Sequence, residues 1–118
     1  MPAGQRGDET GSREPGSLIF DYHPGASEEL IEAARFYETR ETGLGRRFLD
    51  AVDASLAFLR DNPTLRSADE RGRRRWLVHK FPYLIIYKLE DPFFHILAVA
   101  HTSRKPGYWA HRDSGSKH

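Results

Sequence analysis

Residues 81–101 read FPYLIIYKLEDPFFHILAVAH, and this stretch decides the fold. Tyr83, Ile85, Tyr87 and Leu89 recur at every second position, the period of a strand running from Tyr83 to Leu89. Glu90-Asp91-Pro92 is a turn signal. Phe93 to His101 then reads as the next strand. Strict alternation predicts Phe93, His95, Leu97, Val99 and His101 on one face, and Phe94, Ile96, Ala98 and Ala100 on the other. Upstream, Arg74 to Phe81 has the same β character. Three strands joined by short links form an antiparallel meander.

Working back from the meander, the period changes from 2 to 3.6. Leu44, Phe48, Ala51, Val52, Leu56 and Leu59 form one helical stripe, which Asn62-Pro63 ends. Leu30, Ala33, Ala34 and Tyr37 form another, on a helix from about Pro24 to Glu41. Thr42-Gly43 separates the two helices, a link short enough for an antiparallel hairpin. Glu28, Glu29 and Glu32 are expected to favour the positive end of the first helix. Leu18 to Tyr22 is short, β-branched and aromatic, and reads as a first strand. The order is β-α-α-β-β-β. The expected class is α+β: an antiparallel sheet with a two-helix hairpin packed on one face. Residues 1–16 have no large apolar residue after Met1 and are expected to be a disordered lead. Residues 17–112 form the single domain, and residues 113–118 a flexible tail.

The chain has 118 residues, enough for one core without staples, and no cysteine. Disulfides, thiolate metal sites and cysteine nucleophiles are therefore excluded. Hydrophobic residues make up 38% and charged residues 30%, and no apolar run approaches the length of a membrane span. No secretory signal is read, and a cytoplasmic location is expected. The net charge of +1 conceals a division. Residues 1–70 carry 8 Lys and Arg against 14 Asp and Glu, whereas residues 71–118 carry 10 against 3. The basic half also holds five of the six histidines. Such a half suits a polyanion or an acidic protein, or simply a solvated face.

Two clusters in that half carry chemistry. Arg71-Gly72-Arg73-Arg74-Arg75 leads into Trp76, and guanidinium forks match phosphate and carboxylate oxygens. The bland alternative is an edge strand whose charges discourage aggregation. His101-Thr102-Ser103-Arg104-Lys105-Pro106-Gly107-Tyr108-Trp109 brings an imidazole, two cations and two aromatics to a strand end. His101 suits proton transfer, Arg104 phosphoryl charge, and Tyr108 and Trp109 base stacking. Alternatively His101 anchors the C-terminal segment, and Tyr108 and Trp109 latch the tail onto the helices. No metal site is expected, because His95 and His101 lie about 20 Å apart along one strand. Gly43-Leu44-Gly45 lacks the third glycine of a dinucleotide loop, and no Walker A or nucleophile-elbow motif occurs.

The chain resembles the RelE/ParE superfamily of bacterial type II toxins from about Leu18 to Arg112. The residues that carry the likeness are Phe20, Pro24, Ala26, Glu29-Leu30, Ala33-Ala34 and Tyr37, then Gly43-Leu44-Gly45, Phe48 and Asn62-Pro63. They continue with Arg74-Arg75, Phe81-Pro82-Tyr83, Ile86-Tyr87, His101, Arg104, Pro106, Tyr108-Trp109 and Arg112. The resemblance implies a growth-arresting toxin, associated with plasmid stabilisation and silenced by a cognate antitoxin. It implies no cofactor and no membrane partner. One branch of the superfamily inhibits DNA gyrase, and the other cleaves messenger RNA on the ribosome without metal. Tyr83 stands where an arginine is common in the nucleases, so the ParE-like side is favoured. RNA cleavage and a non-toxic binding module are the alternatives. For a nuclease the implied catalytic residues are Arg75, His101 and Arg104. Target or nucleic-acid contact falls to Arg73, Arg74, Arg75, Lys80, Tyr83, Arg104, Tyr108, Trp109 and Arg112.

Overall fold

The computed structural model describes residues 18–112, so the lead and the tail expected at residues 1–16 and 113–118 lie outside the described residues. The elements are β1 (Ile19–Tyr22), α1 (Pro24–Arg40), α2 (Leu44–Asp61), β2 (Arg73–Leu77), β3 (Tyr83–Glu90) and β4 (Phe93–His101). The α+β class and the element order are those expected.

The sheet order is β1-β4-β3-β2. The last three strands are the antiparallel meander, but β1 pairs with β4 in parallel, Ile19 to Phe93 through Tyr22 to Ile96. The sheet is therefore mixed, not wholly antiparallel. Two strands running the same way need a long crossover, and the helix hairpin with β2 and β3 supplies it. β1 ends where His23 begins the turn into α1. β4 runs on to His101, so its outer edge is uncovered by β1 beyond Ile96.

A second departure is a bulge. The pairing of β3 with β4 shifts between Ile86 and Tyr87, which leaves Leu97 without a strict partner. One extra residue reverses the alternation. Phe94 and Ile96 face the helices, and so does Val99 after the bulge, whereas Leu97, Ala98 and Ala100 face the other way. The two faces expected from strict alternation along β4 therefore exchange midway. His95 and His101 end on opposite sides of the sheet.

The core lies between the hairpin and the sheet. Phe48, Val52 and Leu59 of α2 meet Ile85, Tyr87, Phe94 and Ile96, all within 2% of full burial. Phe20, Phe94 and Tyr87 stack in one column, with centroids 4.6 and 4.5 Å apart. The buried Tyr87 hydroxyl donates to the Pro63 carbonyl at 3.0 Å, which satisfies its polar end. Gly45 lets the helices touch: a Cβ there would lie 2.5 Å from the Ala34 carbonyl oxygen. The Glu38 carboxylate accepts from the Gly43 and Gly45 N–H groups, both at 2.9 Å, and so caps the start of α2.

α1 is capped differently. No acidic residue lies in its first turn, so the three glutamates do not have the helix-end role expected of them. The His23 Nδ1 atom accepts from the Gly25 N–H at 3.0 Å. Only a deprotonated Nδ1 can accept. Burial, and then the Arg112 charge, push the His23 imidazole below its ordinary value of 6.5. The unfolded chain therefore binds the proton more readily than the folded one. The stabilisation is complete above about pH 6.5 and is lost as pH falls below that value. The unfolding free energy of the wild type, read from urea denaturation, should fall on mild acidification by up to about 1 kcal/mol for a lost cap. His23→Asn keeps a cap acceptor without the titration, and its curve should be flatter through the same range. An equal slope in both proteins would exclude His23 as the sensor.

Candidate functional site

The turn after β4 brings one group of candidate residues together. Tyr83 opens β3 and pairs with His101, which closes β4; their rings meet edge-on at 5.1 Å. Both face the helix side. Tyr83 also packs against Tyr37 and Phe48, and burial raises its phenol above the usual value. The His101 Nδ1 accepts from the Ser103 N–H at 3.0 Å, with the Ser103 hydroxyl at 2.8 Å. A backbone N–H can only donate, so Nδ1 holds the lone pair and Nε2 holds the proton of the neutral ring. The Arg104 guanidinium stacks on Tyr108 at 4.0 Å. Tyr83, His101, Ser103 and Arg104 line a groove of about 450 Å³, closed on the α1 side by Glu32, Ala33 and Phe36. Phe36 is 49% exposed, a large apolar surface at the groove's rim.

The arginines of β2 do not join this group. Alternation places Arg73 and Arg75 on the face away from the helices and Arg74 on the helix side. Arg73 and Arg75 stack over Trp109, with guanidinium carbons 5.0 and 5.5 Å from its ring. Trp109 is only 4% exposed and covers Ile86, Leu97, Ala98 and Ala100. Trp109 therefore latches the tail onto the far face of the sheet, whereas Tyr108 does reach the helices, at Glu29 of α1. Arg74 donates to the Arg66 carbonyl beside Tyr87. Lys80 stands exposed in the β2–β3 turn with φ at 70°. Arg75, His101 and Arg104, the set implied for a nuclease, are thus split between opposite faces of the sheet.

Arg112 is committed elsewhere, to a residue whose role the sequence did not disclose. The Glu29 carboxylate accepts from the Val99 N–H at 2.9 Å and the Tyr108 hydroxyl at 2.7 Å. Arg112 grips it with both terminal nitrogens at 3.1 Å and also donates to the Leu97 carbonyl at 2.9 Å. These contacts satisfy the edge of β4 that β1 leaves uncovered. Burial and the Glu29 charge raise the Tyr108 phenol far above its ordinary value. Arg112 passes so close to α1 that a Cβ on Gly25 would lie 2.7 Å from its guanidinium carbon. The spacing from Glu29 to Arg112 gives no signal, because no local period links residues 83 positions apart. Among the described residues, no group of three or more His, Cys, Asp or Glu side chains is arranged to hold a metal.

Fold and site together describe a small α+β domain with a groove of aromatic and charged side chains. The sequence matches the family described as "ParE toxin of type II toxin-antitoxin system, parDE" over residues 20–106, and the chain belongs to that family. Among solved structures it is similar to a chain of the "Chromosomal ParDE TA system from P. aeruginosa", with a TM-score of 0.61 and 12% identity. That likeness covers 72% of this chain and 96% of the other, and it is a likeness of fold. No curated protein matches the sequence. No helix among the described residues is long and apolar enough to cross a membrane.

Proposed function

We propose that this ParE-family toxin arrests growth by binding DNA gyrase, and that a cognate antitoxin neutralises it. The observation that carries the gyrase reading is the state of His101. Its Nδ1 lone pair is occupied by Ser103, and its Nε2 presents a proton. Such a ring donates a hydrogen bond, but it has no open lone pair with which to take a proton from a ribose hydroxyl. Of the β2 arginines that would neutralise a phosphate beside it, Arg73 and Arg75 lie across the sheet, and Arg74 donates to the Arg66 carbonyl. Tyr83, Arg104 and Phe36 instead offer aromatic and cationic surface, the composition of binding anchors.

The test is supercoiling by purified gyrase with the chain added in excess. Supercoiling should stop and cleaved DNA complexes should accumulate. Arg104→Glu should weaken the effect by about tenfold, as expected for loss of a charged anchor. Supercoiling unaffected by excess toxin would refute gyrase as the target. Ribosome-dependent cuts in messenger RNA of arrested cells, abolished by His101→Ala, would establish the alternative.

A further inference from the structure

Arg104 is exposed, and among the described residues no carboxylate holds it. Its guanidinium carbon lies 4.0 Å from the centre of the Tyr108 ring, whereas the other stacked guanidiniums stand 4.9 to 5.5 Å from theirs. Exposed Arg46 and Arg47, by contrast, are paired with Asp50 and Glu41. Arg104 thus keeps its fork of donors open to an outside acceptor. Its backbone N–H donates to the His101 carbonyl at 2.9 Å, which fixes where the side chain leaves the turn after β4. The guanidinium sits at the end of a long rotatable stem, so its direction depends on the ring beneath it.

That ring is fixed from two sides. Gly107, with φ at 84°, turns the chain, and the Ala110 N–H donates to the Gly107 carbonyl at 2.9 Å. Trp109, next in the chain, is buried on the far face of the sheet. Tyr108 instead reaches α1, where its hydroxyl donates to the Glu29 carboxylate at 2.7 Å. The same carboxylate holds the Val99 N–H of β4 and the Arg112 guanidinium. Burial, and then the Glu29 hydrogen bond and charge, keep the phenol protonated, so it remains a donor across the physiological range. Arg112 also lies over the ring, at 5.3 Å, but its charge is already met by Glu29. The Tyr108 hydroxyl therefore ends in a clamp that ties α1, β4 and the last turn together, while the ring carries Arg104 at the rim of the groove.

We infer that Tyr108 is a positioning residue for Arg104, holding its guanidinium in the direction that meets the target through a ring that Glu29 locks in place. The inference rests on the reading of Arg104 as a target anchor. A guanidinium held before the encounter loses less freedom on binding than one that swings freely. Tyr108 thereby contributes to affinity without touching the target itself.

A double-mutant cycle on the full chain tests this, with inhibition of gyrase supercoiling as the readout. Tyr108→Leu should raise the half-inhibiting concentration by roughly two- to tenfold, although every atom of Arg104 is retained. Tyr108→Phe keeps the ring and should recover most of that loss. With Arg104→Gln already in place, Tyr108→Leu should add little, because the group that it positions is gone. A role in stability alone gives the same loss with or without Arg104→Gln, and that result would overturn the inference. A second measurement needs no target. In the free wild type the Arg104 side-chain protons should show the upfield NMR shifts of protons held over an aromatic ring. These shifts should vanish in Tyr108→Leu and persist in Tyr108→Phe. Arg104 resonances at random-coil positions in the wild type would equally overturn the inference. If the wild type leaves gyrase untouched, the gyrase reading fails by itself; the same cycle is then read from growth arrest on induction in cells, which reports Arg104 whatever the target.

Discussion

Glu29→Ala is expected to destabilise the fold by about 3–5 kcal/mol, far more than loss of an exposed ion pair. The side chains of Glu29 and Arg112 are 15% and 11% exposed, so the variant leaves a guanidinium charge with little access to water. It also strips the Val99 N–H and the Tyr108 hydroxyl of their acceptor. Glu29→Gln should cost less, because an amide oxygen still accepts one of these bonds but supplies no charge to Arg112. Removing both partners, Glu29→Ala with Arg112→Ala, should recover part of the loss, since no buried charge is then left alone. Urea denaturation provides the energies. The Tyr108 phenol provides an independent readout: without the Glu29 carboxylate, its titration should move down toward the ordinary tyrosine value. A loss for Glu29→Ala within about 0.5 kcal/mol would mean that the pair behaves as a surface contact.

These residues also show what a sequence can and cannot disclose. The helix hairpin was legible because the stripe from Leu44 to Leu59 repeats at one fixed period, and Asn62-Pro63 marks its end. The meander was legible for the same reason. The parallel pairing of β1 with β4 was not, because strand order is set by which edge the crossover reaches. Period-two reading of β4 worked up to Leu97 and failed beyond it. A bulge adds one residue without changing the composition of Phe93–His101, yet it sends Val99 to the helix side and Ala98 to the other. The arginines of β2 looked like one patch in sequence; strand alternation divides Arg74 from Arg73 and Arg75. Tyr83 and His101 meet because they are register partners, which the two strand ends foreshadow. Glu29 and Arg112 meet across three elements, and nothing in either segment announces it.

Phe48→Ala should cost about 3–5 kcal/mol and should also blunt the toxin's action on its target. Phe48 is fully buried and sits where both helices and the sheet converge. Its ring lies 5.4 Å from Tyr37, 5.2 Å from Phe81 and 5.1 Å from Tyr83. Truncation removes an aromatic volume that three neighbouring rings cannot refill, since each is fixed by its own element. Tyr83 loses the wall that holds it against His101, so the groove floor becomes mobile while its charged rim is untouched. Two measurements separate the effects. The urea midpoint reports the cavity, and toxin activity assayed where the variant is still mostly folded reports the groove. Phe48→Leu refills most of the volume and should restore the greater part of the stability. It supplies no ring face to Tyr83, so activity should recover less completely than stability. Parallel recovery of the two would mean that Tyr83 is positioned by packing volume alone and not by the edge-on contact with Phe48.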